Sequence, residues 1–568
     1  MTLRKFLVSL LCACFLFVGS GIGAEIAYRD DAVAAPVFSA AGGWYKDGFQ
    51  LSLSCPAEGA AIYYTLDGSE PSVKSARYSK PIAIKDRSGD PNGISAIKTS
   101  ERQVYPEGNV FKGTIVRARA FLGDGMSRVV TNSYFVDKKG ASRYSFPVVS
   151  IAVDPADFFD EVKGIYVPGK IFRDQYNSSL PEWERAGNYT QSGSEWERPA
   201  YLEFFEPDGK RGMAQDIGIR IHGGATRTYP QKSLRLYARA KYKGGPKDFA
   251  YEVFPGLKSP VDGKPMIKFR RLILRTSGND SQYTMFRDAF MTSLVSELDL
   301  ATQASRPSVV FVNGEYWGIH NFRERFDEFD VENTYKVDKD DVVILENDGV
   351  VDVGEEGDGK NYRDMISFLR ASDIRDPAVY RRLDTMMDVG NFMDYQIAQI
   401  YFGNHDWPGN NLKFWRARTK EYIPGKGYGD GRWRWFLYDT DFGFSLYNGP
   451  QGYEHRTLEL ATRAGGADWP NPDWSTFIFR TLLKNEEFRA EFLKRFDSYL
   501  NTVFEPSRVK ARLAQFQDAY EKEIAEHIAR WRSPRGIGEW KQSIDVMRYF
   551  AEMRPAAIRA QLAQMFGK

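Results

Sequence analysis

Two short strings hold the residues best suited to chemistry. His405-Asp406-Trp407-Pro408-Gly409-Asn410-Asn411 sets Asp406 five residues before Asn411, and Tyr438-Asp439-Thr440-Asp441-Phe442-Gly443-Phe444 supplies a later Asp-Phe-Gly. Asp, then Asn, then Asp-Phe-Gly is the order used by phosphoryl-transfer sites. There the first Asp orients the attacking hydroxyl, while the Asn and the second Asp hold Mg²⁺ on the phosphates. Such a site needs positioning and charge neutralisation more than covalent chemistry. Upstream, Gly223-Gly224 lies between two strand-like stretches, where backbone N–H groups can cradle phosphates. Lys232 follows and shares a strand face with Leu234 and Leu236, because side chains repeat every two residues. A Lys on an apolar face calls for an anion or a phosphate. On this reading Lys232 neutralises phosphate charge and Asp406 accepts or orients the hydroxyl proton. Asn411 and Asp441 bind Mg²⁺, an ion that prefers oxygen ligands and keeps waters. Asp439 points to the same face as Asp441 if the segment is a strand, and is a candidate for a second metal or a ligand-orienting role.

Each piece also has an ordinary explanation: a tight turn at the glycines, a snorkelling Lys, an Asx turn at Asp406. The ordered set within one chain weighs against coincidence. It departs from common patterns all the same: the glycine pair is no Walker loop, His405 abuts Asp406 directly, and 30 residues separate Asn411 from Asp441.

The elements that must position these residues fall into several units. At 568 residues the chain is too long for one ordinary domain, and 42% hydrophobic and 14% aromatic content provide for a sizeable core. A net charge of +2 gives no case for nucleic acid. Residues 1 to 24 read as an export signal: Arg4 and Lys5, an apolar run, then small residues up to Ala24. Lipidation at Cys14 is a minor alternative. With Cys12 and Cys14 removed, Cys55 stands alone, so intramolecular disulfides and a Cys-based metal site are not expected. Residues 36 to 137 alternate in short strands separated by turn clusters, which predicts a small β-sandwich. From 145 the pattern is mixed α and β. Polar 173–197 and acidic, Gly-rich 347–359 read as surface loops, and Asn313-Gly314 as a hairpin turn. Residues 476 to 568 are mainly helical, with Phe488, Phe492 and Phe496 on one core-facing stripe. Arg275, Asp280, Arg287 and Asp288 form a further polar group, with Arg287 and Asp288 at a helix start as a structural ion pair or an orienter of Lys232.

Two resemblances rest on these stretches. Tyr64-Thr65-Leu66-Asp67-Gly68-Ser69-Glu70-Pro71-Ser72 resembles the chitobiase/β-hexosaminidase C-terminal-type module, which implies an immunoglobulin-like accessory domain, often a passive spacer. Residues 145 to 560 are similar to the spore-coat-protein-H (CotH) kinase family. That likeness is carried by Ile219 to Arg227, Gln231 to Arg235, Val312 to Gly318 leading to Glu324, Asn404 to Asn411, and Leu437 to Phe444. It implies an α+β atypical protein-kinase-like domain (145–475) with a helical C-terminal part (476–568). The implied activity uses ATP and Mg²⁺ or Mn²⁺ to phosphorylate Ser or Thr of a protein substrate. By the family motif Asp406 is the catalytic Asp, Asp441 or Asp439 the metal ligand, and Lys232 the phosphate contact. Glu324 either pairs with Lys232 or lies near the adenine pocket. An exported chain of this kind is expected in the periplasm, at the cell surface or outside the cell. Two other readings compete: a non-catalytic surface or adhesion protein on the same scaffold, and a carbohydrate-active enzyme using two carboxylates. The second leaves the ordered Lys, Asn and later Asp unexplained.

Overall fold

A computed structural model describes residues 30–242, 245–466 and 469–567. The expected leader, residues 1–24, lies outside them. No described helix is long and apolar enough to cross a membrane, and Cys55 is a free thiol.

The N-terminal region is β-rich. One sheet runs in the order Gly43–Tyr45, Val130–Val136, Thr114–Leu122, Ala61–Thr65, Ala76–Arg77, with Gly125–Met126 paired to the central strand. Two small sheets, Val37–Phe38 with Leu53–Ser54 and Phe49–Leu51 with Ile82–Ile84, pack against it around Leu51, Ile84, Val116 and Ala118.

Seven strands then close a barrel in the order Val148–Val153, Arg198–Phe205, Arg211–His222, Ser233–Tyr237, Arg271–Arg275, Glu315–Glu324, Ser305–Val312. Their alternation fills the interior: Ile217, Ile219 and Ile221 point inward with Leu234, Leu236, Leu272 and Leu274. The Asn-Gly hairpin forms as expected, with φ of 45° at Asn313 and 83° at Gly314, the left-handed pair such a turn requires. The stretch 173–197 is not a plain loop: it begins in the end of a short helix (Gly169–Gln175) and contains three single 3-10 turns.

From the barrel the chain crosses through Arg325, Phe326 and Asp327 into a five-stranded sheet. Its order is Ala301–Thr302, Arg434–Leu437, Lys413–Ala417, Val342–Glu346, Val350–Val353. The last of these is an edge strand inside the stretch expected to be a solvated loop. The helix Val389–Phe402 is buried on nearly every side and runs directly into His405–Asn411. Its end is fixed by Gly403 in the left-handed region (φ 64°) and by buried Arg554, which donates to the carbonyls of Ile400 at 2.7 Å and Tyr401 at 3.1 Å. The C-terminal part is helical as expected: Asp473–Leu482, Glu486–Leu500, Pro506–Glu521, Ile524–Trp531 and Ile537–Phe566, with Phe488, Phe492 and Phe496 fully buried.

Candidate active site

A cavity of about 720 Å³ opens between the barrel, the second sheet and the loop after the buried helix, a size suited to a small ligand. Gly223, Gly224, Asp406, Asn411 and Asp439 all line it, together with Arg235, Arg275 and Arg325. Residues more than two hundred positions apart in the chain thus face one space.

Asp406 is 7% exposed. Its backbone N–H donates to Asn404 Oδ1 at 3.1 Å, and its carboxylate accepts from Asn410 Nδ2 (2.9 Å), Asn411 Nδ2 (2.8 Å) and Trp469 Nε1 (2.6 Å). Burial pushes the carboxyl above its ordinary range and the nearby Asp439 adds to this, while the amide and indole donors work the other way.

Asp439 and Asp441 lie beyond the strand Arg434–Leu437, in a turn where Asp439 has φ of 52°. The expectation that a strand puts both on one face therefore fails. What joins them is Arg275, whose Nη2 reaches Asp439 Oδ1 at 2.5 Å and Asp441 Oδ2 at 3.4 Å. Asp441 is 1% exposed and sits just behind the cavity wall, with Asn279 N–H donating to Oδ2 at 2.8 Å. Gly278 has to be glycine: with φ of 60°, a Cβ there would lie 2.4 Å from Asp441 Oδ2. Burial, then Asp439, raise the Asp441 carboxyl well above its usual value.

The polar group around residue 280 clamps this turn. Arg287 and Asp288 begin the helix Arg287–Leu294 but do not pair with each other. Arg287 Nε donates to Asp280 Oδ1 at 2.9 Å, and its Nη1 to the Phe444 carbonyl at 2.5 Å. Asp288 Oδ1 accepts from Thr440 N and Oγ1, both at 2.9 Å, and Oδ2 faces Arg323 at 2.7 Å. Burial alone would raise the Asp288 carboxyl; Arg323, Arg275 and the Thr440 donors outweigh it and hold it at about 2. No side chain of this group contacts Lys232.

On the opposite wall Gly223 (φ 110°) and Gly224 form the expected loop. Arg227 pins it, donating to the carbonyls of Gly223 (2.5 Å), Thr190 (3.0 Å) and Gln191 (2.9 Å).

Lys232 is not at the cavity. It does share a face with Leu234 and Leu236, but that face is the barrel interior. Its Nζ donates to the Tyr229 carbonyl at 2.5 Å and lies 4.2 Å from the centre of the Tyr189 ring. Burial lowers its pKa well below the usual value, and its Nζ is turned to a carbonyl and two tyrosine rings while Glu324 is bonded to the Ala304 N–H instead. The cavity face of the next strand carries Ser233 and Arg235 instead. Arg235 Nε donates to His222 Nδ1 at 2.8 Å. Burial, then the like charge of Arg325, bring its pKa down to about 10. Two cations turned toward one cavity make a setting for an anion. The missed signal was parity: Leu234 and Leu236 mark the inside, so 233 and 235 face out.

Glu324 lies one layer behind the wall. Its Oε2 accepts from Ala304 N–H at 2.9 Å and its carbonyl accepts from Gln303 Nε2 at 2.6 Å; Gln303 lines the cavity.

Among the described residues no group of three or more His, Cys, Asp and Glu side chains is gathered to hold a metal ion. The donor set still fits Mg²⁺ or Mn²⁺. Such ions take one or two carboxylates and complete their shell with water and phosphate, and Asp441 Oδ1 is buried without a hydrogen-bond partner. Asp441, Asp439 and the Asn411 amide oxygen are the oxygens on offer.

Barrel, helical part and cavity define a protein in which carboxylates, arginines and a glycine loop face one cavity. Residues 219–558 match the family described as CotH kinase protein, and residues 40–105 match the chitobiase/beta-hexosaminidase C-terminal domain. The first match spans more than half of the chain, and the chain belongs to the CotH kinase protein family. Both resemblances read from the motifs are thereby established, and at the level of its family the protein is kinase-like. The match begins at residue 219, within the strand Arg211–His222, although two strands that close the barrel precede it. No curated protein matches the chain.

Proposed function

We propose that this protein is an exported atypical kinase that transfers the γ-phosphate of ATP to Ser or Thr of a protein substrate, with Mg²⁺ or Mn²⁺. The observation that carries this reading is the meeting, in one cavity, of Asp406 with the Asp439–Asp441 turn and the Gly223-Gly224 loop. Asp406 orients the acceptor hydroxyl and takes its proton, which its raised pKa suits. The glycine loop, Arg235 and Arg325 receive the phosphates. Asp441, Asp439 and Asn411 hold the metal, which supplies charge neutralisation on the phosphates when bound. Phe326 and Gln303, where the barrel joins the second sheet, also line the cavity and are candidates to meet the base. Export rests on the leader-like residues 1–24, and implies an acceptor met during or after secretion.

The test is γ-phosphate transfer from labelled ATP by the full mature chain and its Asp406→Ala variant, scored on autophosphorylation and a Ser-rich acceptor, alongside MgATP binding. Asp406→Ala is expected to keep nucleotide binding and lose transfer by at least roughly a hundredfold. If neither protein binds MgATP, the non-catalytic scaffold is the better reading.

A further inference from the structure

Arg275 is the oddly held residue of the site. A structural Arg–carboxylate pair engages the guanidinium fork with two parallel bonds. Asp280, close by, shows what a fully satisfied carboxylate looks like. It accepts from Arg287 Nε (2.9 Å), Arg287 N (2.9 Å), Thr284 N (3.1 Å) and Thr284 Oγ1 (2.6 Å). Arg275 instead spends one nitrogen on two carboxylates. Nη2 alone serves Asp439 Oδ1 and Asp441 Oδ2, while its Nε and Asp441 Oδ1 are both buried with no hydrogen-bond partner.

The position of that nitrogen is chemically specific. It sits between oxygens of two carboxylates from residues i and i+2, at the edge of the cavity, where it does the work of a point cation. Two nearby carboxylates, one of them 1% exposed, cannot both stay ionised without a counter-charge. The backbone beyond Arg275 holds Asp441 independently of the Arg275 side chain. Ser277 (φ 70°) and Gly278 (φ 60°) form a tight left-handed turn that keeps the Asn279 N–H on Asp441. The Arg275 side chain itself borders the open cavity, as do Arg235 and Arg325.

We propose that Arg275 is an internal counter-cation: it holds Asp439 and Asp441 in the metal-free protein, competes with a divalent metal for them, and is released toward the phosphates when metal and nucleotide enter. This rests on the reading of Asp439 and Asp441 as metal ligands. Arg275 is on this account a positioning residue that makes tight metal binding depend on nucleotide.

The test is Mn²⁺ binding to the full mature chain, without nucleotide, followed by the electron paramagnetic resonance signal of free Mn²⁺. Wild type is compared with Arg275→Gln and Arg275→Lys, with folding checked by circular dichroism. Arg275→Gln removes the competing charge and is expected to bind Mn²⁺ at least roughly tenfold more tightly. With ADP present it is expected to lose most of the extra Mn²⁺ affinity that nucleotide confers on wild type. Arg275→Lys, whose shorter chain cannot bridge both acids, is expected to fall between, and carries the test alone if the Gln variant does not fold. Equal or weaker Mn²⁺ binding in the variants overturns the proposal while leaving the metal site standing. No Mn²⁺ binding by any of the three, with or without ADP, overturns the metal reading itself.

Discussion

Asp406 is pulled in two directions. Burial and the neighbouring Asp439 favour its neutral form, while N–H donors from Asn410, Asn411 and Trp469 favour the carboxylate. The indole donor can be removed with least disturbance, because Trp469 is 54% exposed. In Trp469→Phe the carboxylate loses a charge-assisted hydrogen bond, so Asp406 titrates at a higher pH. Only the carboxylate can take the hydroxyl proton, so the acid limb of kcat/KM should move to higher pH by about one unit, with the alkaline plateau kept. A pH–rate profile of both proteins checks this; an unmoved acid limb would mean that another group sets it. At this scale the sequence was legible where chemistry and spacing coincide, as in Asp406 with Asn411. It was not legible for the cavity roles of Arg235 and Arg275: both stand in stretches the sequence singles out, but nothing in their spacing says that they face the cavity. They are recruited by which side of a strand faces the cavity, and Lys232 was misplaced for the same reason.

The strand Glu315–Glu324 ends on a second buried acid with a different consequence. Glu324 is 5% exposed, one of its oxygens has no hydrogen-bond partner, and burial pushes its carboxyl up to about 7. Asp330, on the adjoining helix Glu328–Tyr335, is likewise raised by burial and then by Glu324. The unfolded chain ionises such a Glu near 4.5, so between there and about 7 the folded state binds more protons. Stability from this group therefore falls as pH rises through that window and does not recover above it. Glu324→Gln, fixed in the neutral form with its amide toward Asp330, should match wild type at about pH 4 and exceed it at about pH 8, by up to about 3 kcal/mol in urea unfolding. A variant no more stable than wild type at the higher pH would show that the fold does not raise the Glu324 carboxyl. Elements with a local cause were readable in advance: the Asn-Gly hairpin from its turn, the C-terminal helices from their Phe stripe. The edge strand Val350–Val353 hides in an acidic, Gly-rich run. Closure of the barrel depends on parallel pairing of Val148–Val153 with Ser305–Val312, a contact across more than 150 residues that no local pattern announces.

Across the whole molecule the accessory module is welded to the barrel, which a spacer need not be. Trp44 and Phe135 of the module stack at 4.8 Å, Phe135 meets Phe311 of the barrel at 4.8 Å, and Phe205 lies 6.0 Å away. Arg143, at the junction, covers the Phe111 ring at 4.0 Å and donates to Glu526 in the C-terminal part at 3.1 Å. The polar keystone is Glu315, 8% exposed at the barrel hairpin, which accepts from Gly93 N (2.7 Å), Ser95 N (2.8 Å) and Ser95 Oγ. A junction this aromatic and this well bonded couples the unfolding of its two sides. The full chain should therefore melt in one calorimetric transition. Glu315→Ala, which strands the two buried donors of Ser95 and frees the Gly93 N–H, should lower the whole transition by about 2–4 kcal/mol of stability rather than split off a separate module peak. Two resolved transitions in wild type, or a silent Glu315→Ala, would restore the spacer view. A single transition would mean instead that the module shares in the rigidity of the barrel wall carrying Gly223, Gly224 and Arg235, and with it in the geometry of the cavity.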